Sequence, residues 1–179
     1  SGPELAQIVS EVGSPCLRVL YDYGNSQMVL EDPTDCLEAL LPHVLTMHLK
    51  DHLMLRPEHS PDGRLSVLGV PIGRGALPIV ELTRRLLGAG HRRIVFESVW
   101  AYRAPVRRRA EGIRPVELGE GAFRWAEPPF DDEAVIPDAG KLAKENPERL
   151  LALEDRAVAE GLDWLRQAFA KEGWRLASR

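Results

Sequence analysis

Cysteine is scarce in this sequence: Cys16 and Cys36 are the only two among 179 residues, and they form no CxxC pair. A disulfide framework is therefore not the expected source of stability, and reduced, packed thiols in a cytoplasmic protein are. A dominant charge is lacking too. The 23 Lys and Arg against 27 Asp and Glu leave a net charge of −4, so nothing global favours nucleic acid or an anionic membrane. No apolar run approaches the ~20 residues that span a bilayer. The opening stretch SGPELAQIVSEV has neither the basic nor the apolar region of a signal peptide. It also lacks an initiator Met and already reads as a helix, so the chain reads as beginning inside a repeating unit. What is present is an ordinary globular composition, 44% hydrophobic and 28% charged, long enough for one domain with a sizeable core.

Periodicity divides the chain into alternating elements. Leu5, Ile8, Val9 and Val12 recur at helical spacing over about Pro3 to Val12, and Gly13 and Pro15 stop the helix. Cys16 to Asp22 (CLRVLYD) reads as a strand, with Leu17, Val19 and Tyr21 on one face and Leu20 and Asp22 on the other. Asp32 or Thr34 can cap a short helix through Leu41. The next strand, HVLTMHLKD, turns Leu45, Met47 and Leu49 one way and Val44, Thr46, His48 and Lys50 the other. A polar loop is expected over roughly Arg56 to Gly75, a helix over Pro78 to Leu87, and a third strand in RRIVFE. Residues 100–146, rich in Pro and Gly with an arginine run (Arg107 to Arg109) and an acidic patch (Asp131 to Glu133), read as a long irregular excursion. A final helix over 147–173 is capped by Asn146, with Leu150, Ala157, Gly161, Leu162, Leu165 and Phe169 facing inward. Strands alternating with helices predict a parallel sheet with crossover helices.

No GxGxxG follows a strand directly, which argues against a dinucleotide site; the glycines of GVPIGRG are expected to shape a turn rather than cradle phosphate. The informative pattern is one of parity. Each of the three strands ends in one metal-capable residue, Asp22, His48 and Glu97, on the face opposite its apolar stripe. Strand carboxyl ends form the active-site side of parallel α/β folds. Two carboxylates and an imidazole converging there suit a divalent cation such as Mn²⁺, Mg²⁺, Co²⁺ or Zn²⁺. The alternative is that each polar residue caps the next helix or meets solvent.

The motifs YDYGN, HLKD, the GRG turn before a helix, and IVFE, in that order from about Pro3 to Trp100, resemble the xylose-isomerase-like TIM barrels of the sugar phosphate isomerase/epimerase family. The resemblance implies an α/β chain forming the C-terminal part, about strands 6–8 and their helices, of a (β/α)8 barrel. Residues 1–99 would be the core βα units, and strands one to five would be absent. It makes Asp22, His48 and Glu97 three of four metal ligands, with a fourth glutamate expected just before Ser1. It also implies a sugar or sugar-acid substrate whose hydroxy-carbonyl group is isomerised or epimerised through an enediolate. Glu97 would then serve as both ligand and base.

Around these residues the readings stay open. Asn25 stands where relatives place a substrate-contacting group, though Gly24-Asn25 is also good turn chemistry. Lys50 shares the parity of His48 and can bind a substrate oxygen or pair with Asp51. His52, a further candidate for binding substrate, completes H-x-x-x-H with His48, but on strand and loop rather than a helix. Trp100 and Tyr102 either roof a pocket or fill core; Cys16, Cys36 and Met47 are expected to pack; Arg103 and Arg107 to Arg109 are expected at the solvated surface. Competing functions are a hydrolase or lyase on the same barrel, including the histidine-rich apurinic-endonuclease branch, and a non-catalytic truncated module. No nucleic-acid or membrane partner is expected, and a homo-oligomer is left open.

Overall fold

A computed structural model of the chain describes residues 1–128, 130 and 139–177; the acidic patch at Asp131 to Glu133 lies outside them. Helix α1 (Gly2–Val12) starts in a capping box: the Ser1 hydroxyl accepts from the Glu4 N–H while the Glu4 carboxylate accepts back from the chain's amino group. It ends at Gly13, whose φ of 61° is the left-handed conformation glycine adopts without steric cost. Strands β1 (Val19–Asp22) and β2 (Val44–Leu49) run parallel, joined by helix α2 (Pro33–Leu40), whose N-cap Asp32 accepts from the N–H groups of Thr34 and Asp35.

Two features depart from expectation immediately after β2. The chain continues into β3 (Asp51–Leu55), and the expected polar loop contains β4 (Ser66–Val70), all five residues of it buried. With β6 (Arg103–Pro105) they build an antiparallel sheet in the order β3-β4-β6. The Pro, Gly and Asp residues that flank β4 are turn chemistry, but the run SVLGV between them is apolar enough to pair.

Helix α3 (Ile79–Gly88) leads to β5, which is only Val95–Phe96 and pairs parallel with β2, giving the order β1-β2-β5. The excursion is less irregular than expected, since it holds β6 and helix α4 (Ala139–Glu145). Helix α5 (Pro147–Lys171) is capped by Asn146, whose side chain accepts from the Arg149 N–H at 3.1 Å. Its buried positions are Leu153, Ala157, Gly161, Leu165 and Phe169, with Leu150 and Leu162 only half-buried. Gly161 permits a close approach: a Cβ there would lie 3.2 Å from Phe96 and 3.3 Å from Ile72. None of the described helices is long and apolar enough to cross a membrane.

One face of the parallel sheet forms the main core. Val19, Tyr21, Met47 and Leu49 pack with Leu37, Leu40, Leu82, Leu86, Leu165 and Phe169. The other face is open, with Leu20 46% and Val95 48% exposed. Leu45 corrects the alternation expected of β2: it is 67% exposed while Val44 is buried. The register explains this, since Val19 pairs with Val44 but Leu20 with Thr46, leaving Leu45 bulged out of the ladder. Cys36 and Met47 pack as expected, whereas Cys16 is an exposed free thiol ahead of β1.

Candidate metal centre

Register brings the three strand ends level. Asp22 lies opposite His48 in the ladder, and beyond the last pair of β2 and β5 the Glu97 N–H donates to the Leu49 carbonyl at 2.9 Å. The chain turns sharply after β1 because Asp22 Oδ1 accepts from the N–H groups of Gly24 (2.9 Å) and Asn25 (3.0 Å). That leaves Oδ2 free to face its neighbours. One ligand atom each from Asp22, His48 and Glu97 lies within 4.8 Å of the others, so the three sequence-predicted ligands converge.

A fourth side chain completes the cluster. The Lys50 ammonium lies 2.8 Å from Asp22 Oδ2 and 2.8 Å from Glu97 Oε2, with its side chain only 7% exposed. His48 Nδ1 is 3.2 Å from the same Glu97 oxygen. Desolvation disfavours charge on both Lys50 and Glu97, but the Asp22 and Glu97 carboxylates outweigh it for Lys50, and the Lys50 ammonium outweighs it for Glu97. Lys50 is held above the ordinary amine range, and Glu97, with help from His48, below the ordinary carboxylate range. Both are ionised at neutral pH. The donor set thus already concentrates a cation between two carboxylates, and with an imidazole beside them it fits a divalent ion of oxygen and nitrogen preference.

The Lys50–Asp51 ion pair weighed from sequence does not form, because adjacent strand residues point to opposite sides. Asp51, 1% exposed, instead clamps the GRG loop. Its Oδ2 accepts from the N–H groups of Gly73 and Gly75 (both 2.9 Å), and its Oδ1 from those of His52 (3.0 Å) and Leu77 (3.2 Å). Burial pushes its carboxyl up to about 6, against these four donors, which favour the anion. Gly75 must be glycine here, since a Cβ would sit 2.0 Å from Asp51 Oδ1. The loop's amides therefore receive an internal carboxylate, and the glycines of GVPIGRG shape a turn as expected. Sequence reasoning missed this clamp; an acid at a strand end followed by closely spaced glycines was its signal.

His52 is fully buried, and its Nδ1 lies 3.1 Å from Gln27 Oε1. An amide oxygen only accepts, so Nδ1 carries the proton. Its Nε2 has no hydrogen-bond partner among the described residues. Burial lowers its pKa to about 3, the Lys50 charge adding to the effect and Glu97 opposing it. His52 is thus enclosed, away from solvent, and outside the ligand triad. Asn25 is exposed at the rim. Tyr102, 46% exposed, stacks beside His52 at 6.5 Å between ring centroids, while Trp100 packs with Leu153 and Ala157. At the surface, Arg108 pairs with Glu4 and Arg114 with Asp35.

No family model matches the chain. The chain is similar to the uncharacterized protein YihM of Escherichia coli (strain K12), 31% identical over 87 residues that cover 49% of this chain and 26% of that protein. A solved structure, the xylose isomerase domain protein from Planctomyces limnophilus, matches 54% of this chain and 34% of its own at 24% identity and a TM-score of 0.43. The chain thus spans about a quarter of the curated relative's length and a third of the solved neighbour's.

Proposed function

We propose that the Asp22–His48–Glu97 cluster is the metal-holding end of an isomerase or epimerase site acting on a sugar-derived hydroxy-carbonyl compound. The observation that carries this reading is the convergence of three ligand atoms within 4.8 Å at the carboxyl ends of adjacent parallel strands. A divalent cation held there supplies Lewis-acid polarisation of a carbonyl and its neighbouring hydroxyl. The residues supply the rest. Glu97, half-buried and ionised, takes the proton from the carbon beside the carbonyl and returns it on the same face to the neighbouring carbon, through an enediolate; the opposite-face return that epimerisation requires falls to a second acid across the substrate. Asn25 at the rim binds a substrate hydroxyl, and the Lys50 ammonium stabilises developing negative charge on oxygen.

Of the five histidines, His48 alone enters the cluster among the described residues, which weighs against the histidine-rich multi-metal alternative. The test is elemental analysis and calorimetric titration with Mn²⁺, Co²⁺ and Zn²⁺, beside an Asp22→Ala/His48→Ala double variant. Stoichiometric binding that the double variant loses is expected, followed by a screen of ketoses and keto sugar acids for interconversion. A folded chain that takes up none of the three metals contradicts the reading.

A further inference from the structure

Lys50 is a buried cation in the position where a metal centre concentrates its negative charge. Its ammonium contacts Asp22 Oδ2 and Glu97 Oε2, both at 2.8 Å. For Asp22 this is the oxygen left over after Oδ1 has accepted two backbone N–H groups. An ion bound to the triad would therefore claim the Asp22 oxygen that the ammonium already holds. Resting on the metal-centre reading, we infer that a divalent cation enters this cluster only by exchange with the Lys50 ammonium, so that Lys50 sets the metal affinity of the site.

Charge accounting gives the exchange its direction. Two carboxylates and one ammonium leave the cluster one negative charge. A divalent ion added beside the ammonium would make it net positive around the Lys50 and Asp22 side chains, each only 7% exposed. With the ammonium displaced, the same ion and two carboxylates are neutral. The adjacent carboxylate offers the displaced ammonium no refuge, because the two oxygens of Asp51 accept four backbone N–H groups. Displacement thus costs an ion pair that is not replaced nearby, and the cost weakens metal binding.

The experiment is calorimetric titration of the 179-residue chain with Mn²⁺, for the wild type, Lys50→Met and Lys50→Arg. Removing the charge while keeping the volume is expected to tighten Mn²⁺ binding on the order of tenfold to a hundredfold. Lys50→Arg, which keeps the charge, is expected to bind no more tightly than wild type. Equal or weaker binding by a folded Lys50→Met chain overturns the exchange while leaving the metal centre intact; no Mn²⁺ binding by either protein overturns both. A second readout needs no variant. On titrating the wild type with diamagnetic Zn²⁺, the ¹⁵N resonance of the Lys50 ammonium should shift in step with metal uptake. A resonance that stays put while the metal binds overturns the proposal.

Discussion

Lys50 and Asp51 are neighbours in sequence, both buried and both ionic, yet they belong to regions built on opposite principles. The Asp51 carboxylate is held by four backbone N–H groups, and backbone donors cannot turn away without the loop itself opening. The Lys50 ammonium is held by two carboxylate side chains, each of whose oxygens can accept another cation in its place. The first arrangement fixes a loop, and the second can exchange its partner. Strand alternation, which sends adjacent side chains to opposite sides, lets one strand end do both.

On that division, substitutions at the clamp should cost stability and those at the cluster should cost binding. The largest expected effect is at Asp51→Ala, which strands four backbone donors, two of them buried and two part-buried, and should destabilise the chain by about 3–5 kcal/mol in urea unfolding. Gly75→Ala forces a methyl against the same carboxylate and should cost about 2–3 kcal/mol. A loss under about 1 kcal/mol for either would break the comparison.

His52 joins the two regions, since its backbone N–H donates to Asp51 while its imidazole feels the Lys50 charge. Its pKa falls from 6.5 in the unfolded chain to about 3 in the fold, so the unfolded state binds more protons between those values. The stabilisation from neutral His52 is therefore complete above pH 6.5 and lost as pH falls toward 3. Asp51, raised to about 6, contributes in the opposite sense between about 4 and 6. The informative quantity is thus the difference between wild type and His52→Gln. It should move against the wild type by roughly 1.4 kcal/mol per unit as pH drops from 6 to 4. A pH-independent difference would remove the buried neutral imidazole from the account.

Asp22→Asn should have the smallest effect on stability, about 1 kcal/mol, because Lys50 keeps Glu97 and the amide oxygen can still accept from Gly24 and Asn25. Mn²⁺ affinity measured on the same protein should fall at least about tenfold. A stability loss matching that of Asp51→Ala, without loss of binding, would invert the assignment of roles.

Much of the site was legible because the end of a strand is a position that parity defines. Asp22, His48 and Glu97 each follow an apolar stripe on the opposite face, and parallel pairing then makes them level. The same alternation rules out a Lys50–Asp51 pair, although side-chain charge alone suggests one. Leu45 was not legible: a bulge depends on how β1 meets β2, which no single strand encodes. Nor was β4, whose neighbours are turn residues and whose partners lie far along the chain at β3 and β6. β5 is shorter than RRIVFE suggests, its pairing confined to His48 and Leu49 of β2.

The Asp51 clamp also has a kinetic signature. The amides of Gly73, Gly75 and Leu77 belong to a segment without regular secondary structure, where protons ordinarily trade with solvent deuterium quickly. Each is instead tied to a carboxylate that is itself almost wholly enclosed. Their exchange should follow the rarer openings that free β3 from β4, so this loop should retain hydrogen on the timescale of the sheet to which Asp51 belongs.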